Sequence, residues 1–266
     1  MPSGKFIAPI LLSIVTMTSP ARANTVNLYA AGSLRAALTE AAQTYAEATG
    51  NKVEAKYGAS GLLKDEIVAG APAHVFASAN MEHPQALADA GKSEAPRRFA
   101  RNTLCGLVRP GLKVDTATLL DVMLDPAIKV GSSTPKADPS GDYAFEMFAK
   151  AEAMKPGARS ILGGKALKLT GSNDSAKAPD GRNTYGWHVA ERHADIFLTY
   201  CTNAAAARAE DASLQVIALP AALSVGANYG LAVLNGAPAA ARDFADFILS
   251  LQGQTILARH GFAPAN

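Results

Sequence analysis

The 266-residue chain has little of what marks several protein classes. It contains two cysteines, one tryptophan and 6% aromatic residues, and only 18% of its residues are charged. Two cysteines cannot supply a disulfide-built scaffold or a four-cysteine zinc site. The formal net charge is only +2 and there is no long run of lysine or arginine, so we expect no nucleic-acid partner.

The sequence motifs of common enzyme classes are also missing. There is no P-loop and no G-x-G-x-x-G, and segment 58–62 has Leu62 where a nucleophile elbow needs its second glycine. Segment 188–193 fits neither spacing of a zinc-protease helix and is interpreted as a solvated helix face. We therefore predict a protein that is not an enzyme. A secreted serine hydrolase using Ser33 or Ser60 with a histidine stays as a remote alternative, since catalytic triads assemble in space.

Only one stretch of the chain is long and apolar, and it lies at the N-terminus. Residues 6–17 follow Lys5 and precede the small-x-small sequence that ends at Ala23. This pattern predicts a signal peptide over residues 1–23, cut after Ala23, and hence a periplasmic protein. A membrane anchor is the less favoured alternative, because the run is shorter than the about 20 residues that a spanning helix needs. Lys5 and Arg22 account for the whole net charge, so the mature chain is formally neutral.

The remaining chain, with 48% hydrophobic residues overall, has the composition of a folded α/β protein. Strand-like and helix-like patterns alternate from its start, which predicts parallel β-α units. In order, they are a strand at 26–30, a helix from 34 to Gly50, a strand at 53–57, a helix at 62–69 and a strand at 75–78. Similar units follow, and the chain closes with one long helix over 239–258. No linker divides the chain into two contiguous domains. Because it has so many β-α units, we expect two lobes, with the chain crossing between them near 103–108 and returning near 229–233.

Three turns share one design: a strand, a small hydroxyl residue, then a helix. They contain Ser33, Ser60 and Ser140. A helix N-terminus has unpaired N–H groups and partial positive charge, and in a parallel sheet such turns meet at one edge. Two further candidates for an anion site are the pair Arg182-Asn183, which opens a helix after a polar loop, and Tyr200 at a strand end. Each serine can equally be a simple N-cap, so both interpretations stay open.

The two cysteines, Cys105 and Cys201, lie in or at the end of apolar strands. Two free buried thiols would be unusual in an oxidising compartment. A disulfide between them and two separate core thiols are both compatible with the sequence.

Three segments resemble the periplasmic molybdate-binding proteins of ABC importers. They are 26–34 (VNLYAAGSL), 58–61 (GASG) and 70–79 (GAPAHVFASA), and weaker likeness continues through 137–141, 194–204 and 253–262. The resemblance implies the α/β type II periplasmic-binding-protein fold, which has two lobes with the ligand cleft between them. Its first lobe would comprise residues 24–105 and 225–266, and its second lobe residues 106–224.

The resemblance also implies a function. Proteins of that family bind molybdate, and usually tungstate, through neutral hydroxyl and backbone N–H donors, and deliver it to a permease in the inner membrane. The residues that match their ligand positions are Ser33, Ser60, Ser140, Arg182 or Asn183, and Tyr200. The metal would arrive as an oxyanion, so no side chain would bind a metal cation directly. No further cofactor is implied, and a monomer is expected.

Three positions depart from the family pattern. His74 and Asn203 stand where aspartate is usual, and Arg182 would add a formal charge if it pointed into the cleft. The alternative is therefore the same fold with another ligand, either a different small oxyanion such as sulfate or a carboxylate clamped by Arg182.

Overall fold

A computed structural model describes Met1 and residues 24–265 of the chain. The predicted signal peptide, apart from Met1, lies outside the described residues. None of the helices in the described part is long and apolar enough to cross a membrane.

The first lobe is built on three parallel strands in the order β2-β1-β3. These are β1 (Thr25–Ala31), β2 (Lys52–Gly58) and β3 (Val75–Ser78), and the helices that follow them are α1 (Arg35–Thr49), α2 (Ser60–Val68) and α3 (Glu82–Asp89). Helix α1 ends where Gly50 adopts a left-handed φ of 75°, which glycine reaches without steric cost. The predicted β-α alternation is confirmed here, although α3 was not predicted.

The second lobe has a parallel core of strands in the order β6-β5-β7. Its strands are β5 (Val130–Ser133), β6 (Leu167–Thr170), β7 (Ile196–Tyr200) and β8 (Gln215–Ala218). Its helices are α4 (Leu119–Leu124), α5 (Pro139–Met154), α6 (Ala158–Lys165), α7 (Thr184–Ala190) and α8 (Cys201–Glu210). The two-lobed α/β fold predicted from the sequence is therefore the fold of the protein.

Two long antiparallel strands connect the lobes. They are β4 (Arg97–Val108) and β9 (Gly226–Val233). Residues 97–103 of β4 pair with β9, which also pairs with β3, while residues 104–108 of β4 lie between β7 and β8. One continuous strand thus belongs to the sheets of both lobes. The residue bounds given to the lobes from the sequence stay a prediction.

The predicted long helix over 239–258 is wrong. The segment forms two helices, α9 (Ala239–Leu249) and α10 (Leu251–Arg259), separated by Ser250 in an extended conformation. The Ser250 side chain accepts the Gly253 N–H and so caps α10. Apolar residues recur at helical spacing almost without interruption across this break, so the sequence pattern does not reveal the cap.

The two lobes touch directly where α2 faces the loop before α5. The Gly61 N–H donates to the Ala137 carbonyl at 2.9 Å, and the Tyr143 hydroxyl donates to the Ala79 carbonyl at 3.4 Å. A side chain at position 61 would lie against the carbonyls of Lys136 and Ala137. The structure therefore has the lobes closed against each other at this point.

Candidate functional site

A cleft of about 1360 Å³ lies between the lobes, at the carboxyl ends of the parallel strands. Its lining includes five of the six residues that the sequence singled out for an anion site: Ser33, Ser60, Arg182, Asn183 and Tyr200. The strand–turn–helix design explains this convergence, because the turns after parallel strands share one edge of a sheet.

Ser33 lies in the short 3-10 turn Gly32–Leu34 that follows β1. Its hydroxyl oxygen is 2.9 Å from that of Tyr229 on β9, and the Asn102 side-chain amide donates to the same Tyr229 oxygen at 3.4 Å. Burial raises the pKa of Tyr229, so its hydroxyl stays neutral. Since Tyr229 accepts from Asn102, it can donate its proton to Ser33, and the Ser33 proton is then left for a ligand. No sequence pattern indicates Tyr229 as part of this site.

Ser60 is the first residue of α2 and is buried. Its hydroxyl oxygen accepts the Ala79 N–H at 3.1 Å. Because the oxygen is the acceptor in this contact, the hydroxyl proton remains able to donate. Ser60 is thus oriented by the neighbouring strand end and not by its own helix.

Tyr200 ends β7 and is only 2% exposed. Its ring packs beside Tyr143 and Tyr229, with ring centroids 6.3 and 5.6 Å away. The hydroxyl oxygen is buried and has no hydrogen-bond partner among the described residues. Burial raises the pKa of Tyr200 well above its ordinary value, so the group is a neutral donor. An unpaired buried hydroxyl costs about 1–3 kcal/mol, and an acceptor in the cleft would remove that cost.

Ser140 differs from the other two serines. Its N–H donates to Asp138 Oδ1 at 3.1 Å, its hydroxyl is buried without a partner among the described residues, and it is not part of the cleft lining. Asp138, two residues earlier, does line the cleft and caps α5. The backbone N–H that the resemblance assigned to a ligand is therefore bound to a side chain of the protein. Asp138 was not recognised from the sequence, where it reads as an ordinary helix cap.

Arg182 and Asn183 both contact Glu210, the last residue of α8. The Arg182 Nε donates to Oε1 at 2.6 Å, and the Asn183 N–H donates to Oε2 at 2.7 Å. Both contacts hold the pKa of Glu210 below its ordinary value, and the hydrogen bond from Asn183 has the larger effect. The Asn183 side chain meanwhile accepts the Gly186 N–H and caps α7. Both residues lie at the cleft, but a carboxylate of the protein already accepts the Arg182 Nε–H and the Asn183 backbone N–H.

Cys105 and Cys201 are joined in a disulfide. Cys105 lies on β4, and Cys201 is the first residue of α8, directly after Tyr200. Of the two alternatives that the sequence left open, the structure contains the disulfide. The bridge fixes the end of β7 and the start of α8 to the strand that connects the lobes.

Within the described residues, no set of three or more histidine, cysteine, aspartate or glutamate side chains is placed to hold a metal ion. The hydrogen bonds found for the Ser33 and Ser60 hydroxyls run to Tyr229 and to the Ala79 N–H, not to a histidine. His260, which does line the cleft, contacts Glu40 at 2.7 Å. This arrangement offers hydrogen-bond donors to a ligand in the cleft.

Comparison with known proteins agrees with this picture. Residues 26–263 match the family model for bacterial extracellular solute-binding proteins. An uncharacterized protein of Pasteurella multocida is 35% identical over 243 residues, which cover 91% of this chain and 99% of that protein. The molybdate-binding protein ModA of Mycobacterium bovis is 26% identical over 260 residues, covering 91% of this chain and 85% of that protein.

Solved structures share the fold at lower identity. The sulfate-binding protein SubI of Mycobacterium tuberculosis has a TM-score of 0.73 at 20% identity, covering 91% of this chain and 88% of that one. The periplasmic molybdate-binding protein of Azotobacter vinelandii has a TM-score of 0.69 at 19% identity, covering 90% and 98%. Because the family model matches nearly all of the described residues, the chain belongs to the bacterial extracellular solute-binding protein family.

Proposed function

We propose that this protein binds a small oxyanion in the periplasm, with molybdate and tungstate as the first candidates, and delivers it to the membrane permease of an ABC importer. It acts as a monomer and catalyses no reaction. The observation that carries the proposal is the buried, unpaired hydroxyl of Tyr200 at the cleft that Ser33 and Ser60 also line.

The donors around the cleft suit an anion whose oxygens only accept hydrogen bonds. Ser33 and Ser60 lie in the first lobe and Tyr200 in the second, so a ligand between them would receive bonds from both sides. Helix α2 adds partial positive charge, since its N-terminus lies at the cleft. An anion bound in this space loses its hydrogen bonds to water and receives hydrogen bonds from fixed donors of the protein instead. Because it contacts both lobes, it also favours their closed arrangement.

Wild-type protein is expected to bind one oxyanion per chain in calorimetric titrations with molybdate, tungstate, sulfate and phosphate. Tyr200→Phe is expected to weaken that binding by about 10- to 100-fold, because the ligand loses a buried donor worth about 1–3 kcal/mol. Tyr45→Phe is the matched control: Tyr45 is also buried and donates to the Ala240 carbonyl, but it lies outside the cleft.

Two results would count against the proposal. Absence of heat with all four anions would remove the oxyanion function altogether. Equal affinity of wild type and Tyr200→Phe would mean that the anion binds elsewhere. A preference for sulfate over molybdate would keep the function and change the ligand, as the similarity to a sulfate-binding protein allows.

The alternative ligand, a carboxylate clamped by Arg182, gives a separate prediction. Because Glu210 already pairs with Arg182, we expect Arg182→Ala to change the affinity of the wild-type ligand by less than about threefold. Glu210→Gln, which releases the guanidinium, should strengthen anion binding, and that gain should shrink at high salt. Titration of both variants at two salt concentrations tests this. A loss of tenfold or more in Arg182→Ala would favour the clamp.

A further inference from the structure

A carboxyl group lies in the cleft proposed for an anion. Asp138 lines the cleft together with Ser60 and Tyr200. The residue before it, Ala137, accepts the Gly61 N–H from the first lobe at 2.9 Å, so Asp138 is placed beside the turn that carries Ser60. Its Oδ1 accepts the Ser140 N–H at 3.1 Å. Capping of α5 uses one carboxyl oxygen, and the Ser133 side chain also hydrogen-bonds the carboxyl group. A carboxylate has about four lone-pair sites, so these two contacts leave room for a proton shared with a ligand.

No cation compensates this carboxyl. None of the salt bridges found within residues 24–265 includes Asp138. The titratable groups that face it are Asp142 on α5, Tyr185 on α7 and Tyr200 on β7, and the Ser133 hydroxyl faces it from β5. Burial raises the pKa of Asp138 to about 6, and Asp142 adds to the rise.

Several of the other charged groups that line the cleft have partners. Arg182 pairs with Glu210, and both Arg259 and His260 contact Glu40. Arg35 lies over the ring of Tyr57, and Lys177 and Asp180 belong to the loop before α7. Among the described residues, His260 is the one histidine that lines the cleft.

Resting on the proposed oxyanion function, we infer that Asp138 shares one proton with the bound anion. A fully deprotonated dianion, such as molybdate or sulfate, binds together with a proton that Asp138 takes up from solvent. An anion that carries its own proton, such as hydrogen phosphate or the monoanion of a phosphate monoester, donates it to the carboxylate. Asp138 thereby makes the affinity for a permanent dianion depend on pH, whereas an anion that carries its own proton is bound without that dependence.

The physical reason is the repulsion between like charges inside a cleft. A carboxylate and a dianion cannot lie side by side away from bulk water unless a proton or a cation separates them. A proton between two oxygens turns the repulsive contact into a charge-assisted hydrogen bond. If Asp138 served only as a helix cap and never contacted the ligand, binding would involve no proton.

The expected pH dependence follows from the direction of the pKa shift. Above pH 6 the free protein carries Asp138 as a carboxylate, and a bound dianion raises its pKa further, so one proton enters on binding. The affinity for sulfate or molybdate should then fall about tenfold per pH unit above pH 6. Near pH 5 the carboxyl is largely protonated before binding, so uptake vanishes there. The affinity for hydrogen phosphate should show no such fall until the pH at which that anion loses its own proton.

Calorimetry in buffers of different ionisation enthalpy measures proton uptake directly. Wild type is expected to take up about one proton per sulfate or molybdate at pH 7–8. Asp138→Asn should take up none and bind both dianions with an affinity that does not change with pH. Asparagine is as good an N-cap as aspartate, so α5 keeps its cap. Asp138→Ser, also a capping residue without charge, is the second variant if Asp138→Asn fails to fold by circular dichroism.

Two control variants separate Asp138 from other sources of proton uptake. Asp115→Asn should behave as wild type, since Asp115 is an exposed loop-capping carboxylate outside the cleft. His260→Gln should keep the proton uptake of wild type. Uptake that survives in Asp138→Asn and disappears in His260→Gln would overturn the inference. Dianion binding by wild type without proton uptake would overturn it and leave the oxyanion function intact. Absence of heat with every anion at every pH would instead overturn both.

Discussion

Replacing Gly61 with alanine is expected to weaken oxyanion binding by about 10- to 100-fold, with no loss of stability in the unliganded protein. Gly61 is the second residue of α2, and its N–H donates across the cleft to the Ala137 carbonyl at 2.9 Å. A Cβ atom at this position would be 2.7 Å from the Ala137 carbonyl oxygen and would also overlap the Lys136 carbonyl. The substitution therefore acts on the contact between the lobes.

The size of the effect follows from what would have to move. The opposing atoms belong to the backbone, so they cannot rotate away as a flexible side chain would. Overpacking of this kind costs about 1–3 kcal/mol, and it is felt only when the lobes are closed. In an open arrangement the alanine meets no clash, and it favours the helix by up to about 1 kcal/mol over glycine. A ligand that binds only the closed state must offset this cost with part of its binding free energy, so its measured affinity falls.

Gly164→Ala is the matched control. Gly164 is an exposed glycine within α6, and a Cβ atom there meets no atom within 4 Å. It should leave affinity unchanged. Titration calorimetry gives the affinities, and small-angle X-ray scattering with and without ligand reports how compact each variant is. Gly61→Ala with wild-type affinity and wild-type compaction would show that this contact does not limit closure.

The sequence predicted the elements that carry the site better than the contacts within it. The sequence places Tyr200 at a strand end, and the structure has it as the last residue of β7. Ser33 and Ser60 were found because a hydroxyl residue between strand and helix is a local pattern. Such patterns can be recognised in the sequence because the residues that create them are neighbours in the chain.

The missed residues depend on contacts between distant segments. Glu210 lies 28 positions from Arg182, and Tyr229 lies 196 positions from Ser33. Nothing near either residue in the chain indicates these pairings. Asp138 was visible in the sequence, but its local pattern is that of a helix cap, and only the closed lobes place its carboxyl in the cleft.

Removing the Cys105–Cys201 disulfide is expected to lower the free energy of unfolding by about 2–4 kcal/mol, which corresponds to a melting temperature lower by about 5–15 °C. The bridge closes a chain segment of 96 residues. A cross-link over so long a segment strongly restricts the unfolded chain, which is the main source of its stabilising effect in the chain-entropy account. Cys105→Ala, Cys201→Ala and the double variant should lose similar amounts, because each removes the same bond.

The same variants test whether the bridge also positions the ligand site. Cys201 begins α8 directly after Tyr200, and Cys105 lies on β4 opposite β7. If the bridge holds the Tyr200 hydroxyl in place, the double variant should lose oxyanion affinity as well as stability, whereas Tyr200→Phe should lose affinity with little change in melting temperature. Thermal unfolding under oxidising and reducing conditions, paired with titrations below the unfolding temperature, separates the two effects. A double variant that melts at the wild-type temperature would mean that β4, β7 and α8 are held by packing alone, and the bridge would then have no structural role in this cleft.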